Sequence, residues 1–320
     1  VMTEILIIKP SSLGDIIHAL QVAVSLKAQC KDLRISWIAR DIFAPLVQAC
    51  TAVDQVFIFE RKGGTKAFLH MMKAVRKTKF DYVFDMQGLL RTGLMASRAL
   101  TKKTVGRTDC RELSGVFYDE KVPLPPGGRR SHAIDILLQF CPVLGAKPEL
   151  RGKLKFRATG DSTPGFPDDG EAAATILMFP DSRRAEKKWS GFTLLTQLIL
   201  RAEPQRRVIW AGNEVMSAPA SLASGRFLNL TGKTNLAALP ALMQGSEWVI
   251  ANDSGPLHLA AALGLKTAGI FGPTDPQLYG PYPLNAPTNV VVQAPAGNLK
   301  LLQAKEVYAR LQVADRRLNK

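Results

Sequence analysis

Apolar residues fall in short runs of strand length, separated by longer stretches with helical spacing. Residues 5–9, 35–39, 56–59 and 82–86 read as buried strands, and residues 15–28, 65–78 and 89–100 carry the periodicity of helices. Such alternation predicts a parallel sheet with helices on both faces. The pattern then lapses. Between Leu150 and Ala172 the chain is rich in Gly, Pro, Asp and Ser, which reads as an exposed linker. Strands resume at 175–179, 208–212, 227–230, 248–252 and 267–271, with helices between them. The expectation is an α/β chain of two doubly wound halves, residues 1–160 and 161–320, with ligands in the crevice outside the carboxyl ends of the strands. A last helical stretch, 301–317, has no strand after it and is expected to pack back across the domains.

That map places polar residues at strand ends, where chemistry belongs. The first strand stops at Pro10, and Ser11, Ser12 and Gly14 lead to Asp15, with His18 one helical turn behind. Asp15 has two readings. It is a helix cap, for which Ser11 and Ser12 compete, or it is a carboxylate at the mouth of the crevice. Gly14 serves a tight turn or a close ligand approach. A second strand ends in Asn252 and Asp253, and Ser254 and Gly255 lead into an Ala/Leu-rich helix expected from Pro256. Strand, turn and helix start of this kind present backbone N–H groups and a positive dipole end to a phosphate. His258 lies within that first turn, and the loop 272–276 follows the next strand on the same edge. Neither GxGxxG nor GxxxxGK[ST] is present, so a dinucleotide fingerprint and a P-loop are not supported. After the first strand of the second half come Arg183, Arg184, Lys187 and Lys188, a solvated basic loop or cations for a leaving diphosphate. Glu214 follows the next strand and suits a ribose diol or a helix start. Asp168 and Asp169, between Pro167 and Gly170, read as a linker turn and not as a metal pair.

Charge sharpens the picture. The chain of 320 residues carries a formal charge of +15. Residues 1–160 hold 26 Lys and Arg against 14 Asp and Glu, a net of +12, and the rest only +3. Such asymmetry steers anionic partners to the first half, whether phosphate-bearing lipid, nucleic acid or acidic saccharide. Cys30, Cys50, Cys110 and Cys141 stand singly, without CxxC or a histidine at metal spacing, which suits reduced thiols and no zinc site. Neither a cleaved leader nor a membrane span is expected.

Together the motifs KPSSLGDIIHAL (9–20), DMQGLLRTG (85–93), GRTDCRELSGVFYDEKV (106–122), KKWS (187–190) and NDSGPLHLAAALGLKTAGIFGPTDP (252–276) resemble the ADP-heptose:lipopolysaccharide heptosyltransferases, glycosyltransferase family nine. The SSLGD and GPTDP segments look most like the members acting on Kdo of the inner core. The resemblance implies a GT-B architecture, two Rossmann-like domains facing a central crevice, with the donor on the C-terminal one and the acceptor on the N-terminal one. It implies inverting transfer from ADP-heptose with no metal and no other cofactor. Asp15 would be the general base. Ser182, Arg183, Lys187, Glu214, Thr234, Asp253, Ser254, Gly255 and His258 would bind the donor, and Ser12, Gly14, Arg91 and Arg111 the acceptor. Kdo-bearing lipid A at the cytoplasmic face of the inner membrane would be the partner of the basic half, giving a cytoplasmic, peripherally attached enzyme. The chain departs from the pattern in two places. Ser182 and Arg183 stand where relatives often carry two small hydroxyl residues, and Gln21 stands where a proline commonly follows HxL.

Other readings remain at this stage. A heptose-directed relative or another nucleotide-sugar enzyme would share the fold. A nucleic-acid binder would share the charge, but the chain lacks aromatic-rich basic strands and a helix-turn-helix signature. A peripheral membrane module would rest on the basic amphipathic stretch TKAFLHMMKAVRKTKF, 65–80.

Overall fold

Strand β1 (Thr3–Ile8) is enclosed on both faces, with Ile5, Leu6, Ile7 and Ile8 all at 0% exposure, as the central strand of a parallel sheet demands. The computed structural model describes residues 2–158, 165 and 174–318. It falls into two units, Val1–Ala158 and Thr159–Lys320. The first continues through α1 (Leu13–Gln29), β2 (Leu33–Arg40), α2 (Ala44–Ala49), β3 (Gln55–Phe59), α3 (Gly64–Val75), β4 (Lys79–Asp85), α4 (Leu90–Arg98), β5 (Leu100–Arg107), β6 (Glu120–Val122) and α5 (Ala133–Leu138). Its strands lie in the order β3-β2-β1-β4-β5-β6, all parallel.

The second unit comprises β7 (Ala174–Phe179), α6 (Phe192–Ala202), β8 (Arg206–Trp210), β9 (Phe227–Asn229), α7 (Leu239–Gln244), β10 (Trp248–Asn252), α8 (Gly255–Ala262), β11 (Lys266–Phe271), α9 (Pro276–Tyr279), β12 (Asn289–Gln293) and α10 (Ala304–Leu318). Its parallel order, β12-β11-β10-β7-β8-β9, repeats that of the first sheet. Each sheet reverses direction once, between β1 and β4 in the first and between β7 and β10 in the second. Loops diverge at such a switch point, and ligands of doubly wound sheets bind there.

Two expectations change. The helix expected over 89–100 ends at Arg98, because the chain turns straight into β5. The expected linker begins later. Leu154 is buried, Phe156 bridges to Cys50, and the Arg157 guanidinium donates to the carbonyls of Gln48, Cys50 and Val53, so this stretch belongs to the first unit. Asp168 and Asp169 lie outside the described residues. The final helix, α10, sends Val307 and Leu311 into the second unit's own core against α6 and β12.

The basic stretch at 65–80 is an ordinary domain helix, since α3 sends Met71, Met72 and Val75 into the core and leaves Lys66 and Lys73 in solvent. The four cysteines are free thiols, and burial pushes Cys50 up to about 11 and Cys141 up to about 12. Among the described residues no helix is long and apolar enough to cross a membrane, and no group of three His, Cys, Asp or Glu is placed to hold a metal ion.

Candidate active site

Ser12 is the residue that caps α1, and Asp15 is the third residue of the helix. The Ser12 N–H donates to Asp15 Oδ2 at 3.1 Å and its hydroxyl donates to the same oxygen at 2.6 Å. This is the carboxylate arm of a capping box, which fixes the side chain at the carboxyl end of β1. Asp15 Oδ1 faces Lys9 Nζ at 3.8 Å, and the carboxylate is 45% exposed while the lysine side chain is 3% exposed. Partial burial pushes the Asp15 carboxyl up, but the Lys9 ammonium and the two Ser12 hydrogen bonds outweigh it and hold the group well below the usual carboxylate range. Burial lowers the Lys9 ammonium, with Arg107 and Arg111 adding to that and Asp15 and Asp85 opposing it. Sequence reasoning missed Lys9. A lysine closing a buried strand was its only signal. Gly14 falls inside the first turn of α1 and is not among the positive-φ glycines, so no tight turn requires it.

The neighbouring switch-point loop is anchored by Asp85, which lies beside Ile8 in the sheet register and is fully buried. Its Oδ1 accepts the N–H groups of Gln87 and Gly88, each at 3.0 Å, and its Oδ2 accepts the Tyr118 hydroxyl at 2.7 Å. Gly88 turns the chain at φ 72°, a conformation L side chains rarely adopt. The motif DMQG therefore folds as a loop tied to the segment 106–122. Arg111 N–H donates to Gly88 O at 2.9 Å, which brings its exposed side chain to the start of α4, where Arg91 lies. The Arg91 guanidinium stacks over the Phe59 ring at 5.7 Å. Arg107 is committed to Asp109 by two bonds, at 2.9 and 2.7 Å, and does not share their freedom.

In the second unit Lys187 Nζ donates to Asp253 Oδ2 at 2.5 Å, joining the loops after β7 and β10. The lysine is 15% exposed and the aspartate 4%, and His258 Nε2 lies 4.0 Å from the other Asp253 oxygen. Helix α8 begins at Gly255, one residue before the expected Pro256, with Ser254 as its cap residue and the Ser254 hydroxyl donating to Asn252 O at 3.1 Å. Asn252 was not singled out from sequence, and it holds the site together. Its Oδ1 accepts the Trp189 N–H at 3.1 Å and its amide donates to Pro180 O at 3.1 Å, so the basic loop is fastened to the end of β10.

The other cations separate. Lys188 donates to Asp181 at 2.8 Å and Arg184 pairs with Glu186, while Ser182 is half-buried and Arg183 exposed. Thr234 Oγ1 donates to Gly212 O at 3.2 Å and Gly232 N–H to the same oxygen at 2.8 Å, which brings the loops after β8 and β9 together beside the exposed Glu214. The loop 272–276 touches the turn that carries Lys187, for a Cβ at Gly272 would lie 3.2 Å from Glu186 O. The arrangement is one largely enclosed cation, one helix start and one exposed acid around the switch point of a doubly wound sheet. Those are the elements that receive a nucleoside diphosphate.

Comparison with known proteins agrees. The chain is similar to lipopolysaccharide heptosyltransferase 1 of Escherichia coli (strain K12), 26% identical over 325 residues that cover 96% of this chain and 99% of the relative. Its fold is that of the E. coli heptosyltransferase WaaC solved with ADP, with a TM-score of 0.77 at 23% identity over 98% of this chain and 100% of that one. The same enzyme solved with ADP-2-deoxy-2-fluoro heptose gives a TM-score of 0.75 at 23% identity, covering 97% and 99%. The architecture is therefore GT-B. The family model of the heptosyltransferases matches residues 68–308, well over half of the sequence, and the chain belongs to glycosyltransferase family 9.

Proposed function

We propose that this protein is an inverting heptosyltransferase that moves heptose from ADP-heptose to the Kdo of the lipopolysaccharide inner core. It needs no metal ion and no cofactor beyond its donor. It works in the cytoplasm at the inner membrane, where its acceptor, Kdo-bearing lipid A, resides. The donor is proposed by analogy with the relative solved with ADP and with a fluorinated ADP-heptose. The observation that carries the mechanism is Asp15, an ionised and half-exposed carboxylate at the switch point of the first sheet.

The acceptor hydroxyl oxygen bonds to the anomeric carbon, its proton passes to Asp15, and the bond to ADP breaks with its electron pair on the diphosphate. Attack from the face opposite the nucleotide inverts the anomeric centre. A carboxylate held this acidic is a weak base toward a free hydroxyl. It becomes competent as the oxygen bonds to carbon and acidifies, so proton transfer follows bond formation. Lys187 and the N-terminus of α8, with Ser254, Gly255 and His258, meet charge that grows on the diphosphate, a stabilisation larger in the transition state than in the ground state. Asp253 orients Lys187, Glu214 and Thr234 lie on the ribose side, and Ser182 and Arg183 serve the diphosphate. Arg91 and Arg111 bind the acceptor's anionic groups, with Ser12 and Gly14 beside the reacting hydroxyl.

The test is turnover of ADP-heptose with Kdo-bearing lipid A, following ADP release and product mass, in EDTA and without it. Product formed equally in EDTA and carrying the inverted linkage by NMR supports the reading. Absence of transfer, or loss of activity in EDTA restored by a divalent cation, sinks it. Turnover only with a heptose-bearing acceptor would move the chain to the alternative acceptor class.

A further inference from the structure

Between β5 and β6 the chain turns an apolar tip outward. Leu113 is 81% exposed, Val116 76% and Leu90, at the start of α4, 49%. Glu112 and Leu113 adopt φ values of 55° and 60°, the left-handed region that L side chains avoid. The backbone is thus held in an unfavourable conformation that leaves a leucine in solvent. The Val116 N–H donates to Leu113 O at 3.2 Å, closing a tight 3-10 turn over Ser114–Phe117. Leu113, the left-handed residue before the turn, and Val116 within it are both left in solvent.

The base of the tip is rigid. Ser114 is fully buried and its hydroxyl donates to Arg111 O at 2.9 Å, while Phe117 O accepts the Thr104 hydroxyl at 3.0 Å. The turn presses on α4 at Gly93, where a Cβ would stand 2.7 Å from the Phe117 ring. Cations flank it along the chain. Arg91, Arg111 and Lys121 are exposed, and Lys121 Nζ lies 2.8 Å from where a Cβ on Gly115 would be. The acid of the tip, Glu112, accepts the Leu90 N–H at 3.2 Å and so is occupied at the start of α4.

We infer that Leu90, Leu113 and Val116 form a lipid-inserting knob that seats the first unit on an anionic bilayer. Exposed aliphatic side chains on a fixed turn, collared by cations, suit the boundary between acyl chains and phosphate headgroups. Neutral apolar surfaces do not call for the collar. The inference rests on the proposed acceptor being membrane-borne, and it gives Arg91 and Arg111 their depth, at the level of the headgroups.

The test compares wild type with Leu113→Asn/Val116→Ser, in which asparagine tolerates the left-handed backbone. Flotation with phosphatidylethanolamine–phosphatidylglycerol vesicles is expected for wild type, with weaker flotation on phosphatidylcholine vesicles or in high salt. The double variant should lose about tenfold or more in vesicle partitioning, since burying one such side chain is worth roughly that factor. Its turnover on a deacylated, water-soluble acceptor should match wild type, whereas turnover on acceptor embedded in vesicles should fall. In a separate variant, Leu113→Trp, the indole emission should shift to the blue on vesicles. Equal vesicle binding by wild type and double variant overturns the inference. An equal loss of turnover on the soluble acceptor also overturns it, assigning the tip to acceptor recognition, and so does self-association abolished by the substitutions. Flotation is read without turnover, so wild type that floats but transfers no heptose removes the functional reading and leaves the bilayer surface standing.

Discussion

The Lys9 ammonium lies 3.8 Å from the Asp15 carboxylate, with the lysine almost wholly enclosed and the acid half open to solvent. A buried cation beside an exposed carboxylate keeps that carboxylate ionised through the working pH range. It also sets the direction of every pH effect expected from Asp15.

Removing the cation while keeping the chain length isolates it. In Lys9→Met the Asp15 pKa should rise, since burial remains and the opposing charge is gone. The acid limb of kcat/KM is expected to move up by about 1–3 pH units relative to wild type. A pH–rate profile identical to wild type would mean that Lys9 does not govern the base.

Asp15→Asn keeps an oxygen to accept from Ser12 and removes the proton acceptor. It should stay folded but unfold at a lower temperature than wild type at neutral pH, bind ADP normally, and lose roughly 10²–10⁴ in kcat. Asp15→Ala should add a further loss of about 0.5–1.5 kcal/mol in stability, because the Ser12 N–H and hydroxyl lose their acceptor. The folded Asp15 pKa is depressed, so its contribution to stability is present above the unfolded value of about 3.9 and fades as pH falls through the lower folded value. Thermal unfolding against pH should show that acid-side decline in wild type and a flatter profile in Asp15→Asn. Retention of most turnover by Asp15→Asn would leave only the capping role.

Lys187 cannot be removed without stranding Asp253, because Asp253 is buried and bonded directly to it. Lys187→Ala should therefore lower both donor kcat/KM and stability, the latter by about 3–5 kcal/mol. Lys187→Met/Asp253→Asn should regain much of the stability and none of the donor use. Recovery of ADP-heptose turnover in the double variant would reassign Lys187 to a structural pair.

Asn252 touches no proposed ligand but fastens the loop that carries Lys187. Asn252→Ala leaves the buried Trp189 N–H without its acceptor and should cost roughly 1–3 kcal/mol in urea unfolding. Calorimetry should show weaker ADP binding as well, because the Lys187 loop loses its tie to β10. Unchanged ADP affinity in a destabilised variant would confine Asn252 to the core.

The alternation of apolar runs and helical periodicity was enough to determine two parallel α/β sheets, because burial of a strand or of one helix face is recorded in the chain's own local pattern. Strand–turn–helix junctions were legible for the same reason, and they located Asp15, Lys187 and Asp253 at sheet edges. Tertiary structure alone decided which charges neutralise one another. Lys187 and Asp253 stand 66 residues apart, and nothing in local spacing names a partner at that distance. Lys9 read as the end of a buried strand, and Asn252 as the last residue before a loop. Strands β5 and β6 escaped notice because lysine-bearing and very short edge strands carry little apolar periodicity and are specified by the neighbour they pair with, whereas β12 carries a legible apolar run, Val290–Val292. The exposed Leu113 was equally invisible, since a leucine's place in a sequence says nothing of whether the backbone turns it inward or out.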